Sequence, residues 1–192
     1  MKLIILDRDG VINQDRDDFV KSADEWIPIE GSMDAIAFLT QAGYTVAVAT
    51  NQSGIGRKYF TVQDLTEMHA KMHRLAVQAG GAIDGIWFCP HTAADNCDCR
   101  KPKPGMICDI LERFKADPAE TWLVGDSLRD LQAVDAAGGK SALVLTGKGK
   151  KTLSEHENEL PENTQIFDNL LAFSQYIMHE AAQDRADGQA NP

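Results

Sequence analysis

Positive charge is scarce in this sequence: 19 Lys and Arg stand against 29 Asp and Glu, a formal net charge of -10 at neutral pH. That balance argues against nucleic acid or an anionic membrane surface as the main partner. It does not exclude a small phosphorylated substrate, because surface charges beyond about 8 Å are largely screened while a cation about 4 Å from a phosphate contributes roughly 4 kcal/mol. Long apolar runs are also absent from the start of the chain. Leu3-Ile4-Ile5-Leu6 is too short for a signal-peptide apolar region or a membrane span, so a cytoplasmic location is expected. There is no internal repeat and no low-complexity tract ahead of the C-terminal tail. With 192 residues, 43% hydrophobic and 25% charged, one soluble domain with a single core fits better than two.

What is present alternates regularly. Leu3 to Leu6 has the length and apolarity of a parallel strand buried on both faces. Next come an amphipathic helix predicted from Ser32, its N-cap, to Gly43, and a strand from Tyr44 to Ala49. A helix capped by Thr61 carries Leu65, Met68, Met72, Leu75, Ala76 and Ala79 at helical spacing and ends at Gly80-Gly81. Residues 83 to 88 form a third predicted strand, 106 to 114 a helix, 121 to 124 a strand, 128 to 137 a helix and 142 to 145 a strand. The order implies an α/β fold with a doubly wound parallel sheet. Residues 147 to 161 read as a polar segment, and 166 to 178 as a strand fragment and helix. One domain is expected over 1 to 179, with a frayed or disordered tail over 180 to 192.

Open parallel sheets place their sites at the carboxyl ends of strands. Asp7 and Asp9, Thr50 and Asn51, and Gly125-Asp126 follow three of the apolar runs. Any one of these could be a turn former; all three together point to phosphate or Mg²⁺ chemistry. The motifs Asp7-Arg8-Asp9-Gly10, Thr50-Asn51-Gln52-Ser53, Arg100-Lys101-Pro102-Lys103-Pro104-Gly105 and Gly125-Asp126-Ser127-Leu128-Arg129-Asp130 resemble, in order, those of the haloacid dehalogenase superfamily of phosphatases. The resemblance covers roughly residues 3 to 146 and implies a Rossmann-like core with a phosphorylated small molecule as substrate. Too little chain remains between the motifs for more than a minimal cap.

The chemistry can be assigned on those residues. Asp7 is the candidate nucleophile that forms an aspartyl-phosphate, and Asp9 the general acid and base. Thr50 and a lysine stabilise the transferring phosphoryl group, and the position of the family's lysine selects Lys101 over Lys103. Asp7, Asp126 and the Asp9 backbone carbonyl form an oxygen set suited to Mg²⁺. Asp130 stands either in support of that site or as a solvated helix carboxylate.

Cys89-Pro90-His91 and Cys97-Asp98-Cys99 supply four thiol or imidazole ligands in eleven residues, the spacing of a closed structural Zn²⁺ site. Cys108, among Ile107, Ile110 and Leu111, reads as a buried apolar residue. His69 and His73 sit four apart on one helix and read as a solvated or partly packed face rather than a metal pair. The tryptophans read as packing residues, with Trp26 alone placed to border a substrate.

The zinc loop is similar to that of heptose-bisphosphate phosphatases, and also to that of the related histidinol-phosphatases. The heptose group matches more closely across the motifs. It implies a substrate lined by Asp15, Arg16, Asp17, Asp18, Asn51, Gln52 and Ser53, with recognition by Arg100, in a monomer serving heptose precursor synthesis. Ser127 departs from relatives that carry a substrate-contacting lysine there. The non-enzymatic alternative is a zinc-organised binding module with a vestigial site.

Overall fold

In the computed structural model, which describes residues 1–189, six parallel strands form one sheet in the order β3-β2-β1-β4-β5-β6. The strands are β1 (Leu3–Leu6), β2 (Thr45–Asn51), β3 (Gly85–Cys89), β4 (Trp122–Gly125), β5 (Lys140–Val144) and β6 (Gln165–Phe167). The helices are α1 (Ser32–Gln41), α2 (Ser53–Gly56), α3 (Val62–Gln78), α4 (Gly105–Phe114), α5 (Leu128–Ala136), α6 (Gly149–His156) and α7 (Leu170–Gln189).

The period-two alternation of β1 explains the two layers. Ile4 and Leu6 face α1, α3 and α7 through Ile36, Leu39, Leu65, Met68, Phe173 and Ile177. Leu3 and Ile5 face the other side, where α4 and α5 contribute Ile107, Ile110, Ala133 and Val134. Every β1 residue is fully buried, which is why the strand is apolar throughout rather than alternating.

Thr61 caps α3 as expected, its hydroxyl accepting from the Asp64 amide in a reciprocal capping box. Other local expectations are corrected. The N-cap of α1 is Gly31, held at φ 78°, while the Ser32 hydroxyl donates 2.8 Å to the Ile12 carbonyl instead. Cys108 is exposed, since α4 turns Ile107, Ile110 and Leu111 inward and leaves residue 108 off that stripe. Residues 149 to 156 of the polar segment form α6. The last helix continues past residue 178 because Ala181 extends its buried stripe after Phe173 and Ile177. The helix runs to Gln189, and residues 190 to 192 of the expected tail lie outside the described residues.

The sequence order reverses beside β1, between β2 on one side and β4 on the other. Leu6 pairs with Val48 and with Val124, so Asp7, Thr50 and Asp126 emerge together at the carboxyl edge. Two segments overhang that edge, residues 13 to 28 and 90 to 104, and neither holds an α-helix. Lys71 ties the first of them to α3 by donating to the Ala23 and Trp26 carbonyls at 2.6 and 2.8 Å.

Candidate active site

A cavity of about 300 Å³ opens at this edge, with Asp7, Asp9, Thr50, Lys101, Asp126 and Asp130 on its lining. Lys101 is 1% exposed and supplies the cation at its floor. Its ammonium donates to Asp7 Oδ1 at 2.9 Å and to the Ala49 carbonyl at 2.7 Å, and pairs with Asp130 Oδ1 at 2.6 Å. Asn51 holds the Lys101 backbone from both sides: Oδ1 accepts its amide at 3.1 Å and Nδ2 donates to its carbonyl at 3.0 Å. Lys103 points elsewhere, to Asp98 and Asn96 at the surface.

The carboxylate oxygens of Asp7, Asp126 and Asp130 lie within 4.8 Å of one another. Burial, followed by the nearby charge of Asp130, pushes the Asp7 carboxyl up to about 7 despite Lys101. Burial and the charges of Asp130 and Asp7 also raise Asp126. Three crowded hard-oxygen donors in a buried site suit a divalent cation such as Mg²⁺, which removes the repulsion. Asp130 is therefore a buried site residue. It pairs with Lys101 and accepts the Ser127 amide and hydroxyl at 3.1 and 2.6 Å, closing the first turn of α5.

Glycine is required where the strand ends meet. Gly10 sits at φ 86° and Gly147 at φ 53°, and a Cβ on either would collide with Asp126 Oδ2. The Lys148 amide then donates 2.7 Å to that same oxygen, and Thr152 donates 2.8 Å to the Asp126 carbonyl.

Asp9 is held differently. Its side chain keeps 23% exposure, enough to meet a substrate. It accepts from Arg8, Asn13 and Gln52 at 2.8 to 2.9 Å. Burial opposes ionisation, but the Arg8 guanidinium and these hydrogen bonds outweigh it and hold the carboxyl below its usual range. Arg8 is itself fully buried, with Nη1 3.4 Å from His69 Nε2. Burial first, then Arg8, pushes His69 down to about 4. His73 is exposed and does not join it. Trp26 is fully buried and borders no substrate space.

Asp15, Arg16, Asp17, Asn51, Gln52, Ser53 and Arg100 all line the cavity. Asp18 does not; it pairs with Arg16 and Lys21 at the surface. Gln52 is buried, and its amide is committed to Asp9 and to Thr50 Oγ1 at 2.9 Å. Sequence reasoning missed Arg57, Arg129 and Lys148 on the lining. Lys148 pairs with Asp15 at 3.0 Å, bridging the segment after β5 to the one after β1. The lysine in Thr146-Gly147-Lys148, just beyond β5, was a usable signal, since it follows a strand as the other site residues do.

Beside the cavity, Cys89, His91, Cys97 and Cys99 converge, with donor separations of 3.2 to 3.6 Å. Four-coordinate zinc with sulfur near 2.3 Å has edges of about 3.7 Å, so the set fits one tetrahedral ion. Burial pushes the Cys89 thiol up to about 12, a proton that a bound cation displaces. Arg100 follows Cys99 directly and donates 3.3 Å to the His91 carbonyl.

Fold and site define a hydrolase of the haloacid dehalogenase type, and residues 98–173 match the family model described as HAD-hydrolase-like. The chain is 83% identical over 187 residues to a D-glycero-beta-D-manno-heptose-1,7-bisphosphate 7-phosphatase of Neisseria meningitidis serogroup A, covering 97% of this chain and 100% of the relative. A crystal structure of the D,D-heptose 1,7-bisphosphate phosphatase of Bordetella bronchiseptica, complexed with magnesium and phosphate, superposes with a TM-score of 0.91. It is 54% identical, with 94% of this chain and 99% of that one covered. The Burkholderia thailandensis enzyme superposes with a TM-score of 0.74 at 49% identity, covering 93% and 99%. The chain belongs to the family of D-glycero-beta-D-manno-heptose-1,7-bisphosphate 7-phosphatases.

Proposed function

We propose that this protein is a Mg²⁺-dependent phosphomonoesterase that removes the 7-phosphate of D-glycero-beta-D-manno-heptose 1,7-bisphosphate through an aspartyl-phosphate on Asp7. The observation that carries the reading is the Lys101 ammonium, buried and 2.9 Å from Asp7 Oδ1, at the floor of a cavity that Asp9 and Asp126 share. The relatives above carry this substrate in their names.

In the first step an Asp7 oxygen attacks phosphorus in line, the P–O bond to carbon 7 breaks, and the leaving alkoxide takes a proton from Asp9. A phosphoryl dianion beside Asp9 raises its affinity for that proton, opposing Arg8. Gln52 fixes Asp9 and accepts nothing from Thr50, so the Thr50 hydroxyl proton is free for a phosphoryl oxygen. Lys101 offsets charge on the equatorial oxygens. In the second step Asp9 takes a proton from water, the water oxygen attacks phosphorus, and inorganic phosphate leaves Asp7. Asp7 and Asp126, with the Asp9 carbonyl, would hold Mg²⁺, which when bound would supply Lewis-acid neutralisation of the phosphoryl oxygens. Cys89, His91, Cys97 and Cys99 would hold a structural Zn²⁺, which would fix the backbone before Arg100 and Lys101.

The test is phosphate release from a panel containing the heptose bisphosphate, histidinol phosphate and generic sugar phosphates, with the product's remaining phosphate located by ³¹P NMR. Preferential turnover that leaves the 1-phosphate supports the reading. Preference for histidinol phosphate, or loss of the 1-phosphate, contradicts it.

A further inference from the structure

The outer wall of the cavity carries three guanidiniums from three separate segments. Arg57 is the C-cap of α2, Arg100 follows the last cysteine of the metal loop, and Arg129 is the second residue of α5. All three line the space whose floor holds Asp7 and Lys101. A close approach of backbones brings Arg57 there. The Gly56 amide donates 3.0 Å to the Pro90 carbonyl, and a Cβ on Gly56 would strike that oxygen.

Such a cluster is unfavourable by itself. Three guanidiniums of like charge share one wall and repel one another. In a chain with 29 carboxylates, neither the Arg57 nor the Arg129 side chain has an ion-pair or hydrogen-bond partner among the described residues. Arg129 also stands in the first turn of α5, where a cation opposes the helix dipole and an acid is favoured. Ser127 cannot serve a ligand in its place, because its hydroxyl is committed to Asp130 at 2.6 Å. Exposed, unpaired forks of like charge on the lining of a catalytic cavity match an anion with several oxygens.

We propose that Arg57 and Arg129, together with Arg100, receive the substrate's second, non-reacting phosphoryl group and set the preference for a bisphosphate over a monophosphate. This rests on the phosphatase reading above, since the reacting phosphoryl group occupies the floor with Lys101 and only a second one reaches the wall.

The experiment compares kcat/KM for heptose 1,7-bisphosphate and heptose 7-phosphate, both with Mg²⁺, in the wild type, Arg57→Gln, Arg129→Gln, the double variant and Arg129→Lys. Loss of a charge-assisted contact is worth about 10- to 100-fold. Each single Gln variant is therefore expected to lower the bisphosphate-to-monophosphate ratio by about tenfold or more. The double variant should bring the ratio near one, and Arg129→Lys should recover part of it. The thermal midpoint of Arg129→Gln should be no lower than that of the wild type, because an adverse cation has left the helix start. A ratio that survives in the double variant overturns this inference alone, as do equal losses on both substrates. A wild type with no preference for the bisphosphate overturns the substrate reading and this inference with it.

Discussion

Replacing Asp7, the proposed nucleophile, should make the metal-free protein more stable while abolishing its activity. Asp7 is buried with Asp126 and Asp130, and its carboxyl is carried from 3.8 to about 7. An acid raised in this way contributes its full stability below pH 3.8. The unfolded chain binds fewer protons than the folded one between 3.8 and 7, so stability falls as pH rises through that window and stays low above it. The loss is at most about 4 kcal/mol at neutral pH with the opposing pull of Lys101 already included, and Asp7→Asn recovers only part of it because the charged contact from Lys101 goes with the carboxylate. Asp7→Asn removes the repelling charge and leaves Lys101 paired with Asp130 at 2.6 Å. A gain of about 1 to 2 kcal/mol is therefore expected at pH 7.5, shrinking towards pH 4. Urea denaturation of both proteins in chelator, at pH 7.5 and 4.5, measures it. Mg²⁺ should stabilise the wild type markedly and the variant far less. A variant less stable than wild type at pH 7.5 in chelator would refute the electrostatic account. More than about 1% residual turnover, a barrier change under roughly 3 kcal/mol, would refute the covalent role.

Asp9→Asn should lower kcat by about 10² to 10⁴ with Mg²⁺ binding retained, measured by steady-state phosphate release with Mg²⁺ titration. Retention of more than a tenth of kcat would remove Asp9 from proton transfer. Cys99→Ser should lower zinc content by metal analysis and damage turnover of every phosphate ester, with no rescue by excess Mg²⁺, because misplacing Lys101 by about 1 Å costs on the order of 10²-fold. Full activity in a zinc-free preparation would contradict it. His69, depressed to about 4 by burial and by Arg8, should destabilise the fold as pH falls from about 6.5 to 4, where the unfolded chain takes up a proton that the folded one refuses. His69→Gln should flatten that limb of the stability profile in urea titrations, and an unchanged slope would sink the assignment.

The sheet and the residues at its carboxyl edge were legible because strong local signals and the global fold agree. Leu3 to Leu6 is apolar on both faces, and Asp7, Thr50 and Asp126 each stand just past such a run. The Thr61 cap was legible for the same reason, its hydroxyl and Asp64 forming a contact within four residues. The Ser32 cap failed because a tertiary acceptor, the Ile12 carbonyl twenty residues away, took the hydroxyl. Asp130 was ambiguous because an acid in the first turn of a helix has a local role at Ser127 as well as a distant one at Lys101. Trp26 packs in the core as the sequence suggested; its loop borders the site, but Lys71 donates to the Trp26 carbonyl and the ring is buried, so it does not border the substrate space. Arg57 and Arg129 carry no local pattern, and only the convergence of α2, the metal loop and α5 reveals them.

The most direct test of the central claim is to mix Asp9→Asn with Mg²⁺ and heptose 1,7-bisphosphate, quench in acid within one turnover, and map the phosphoryl group by peptide mass spectrometry. The account requires one phosphoryl group on Asp7 and an equivalent of heptose 1-phosphate in solution. A phosphoryl group on any residue other than Asp7, or product release with no modified peptide, would contradict it.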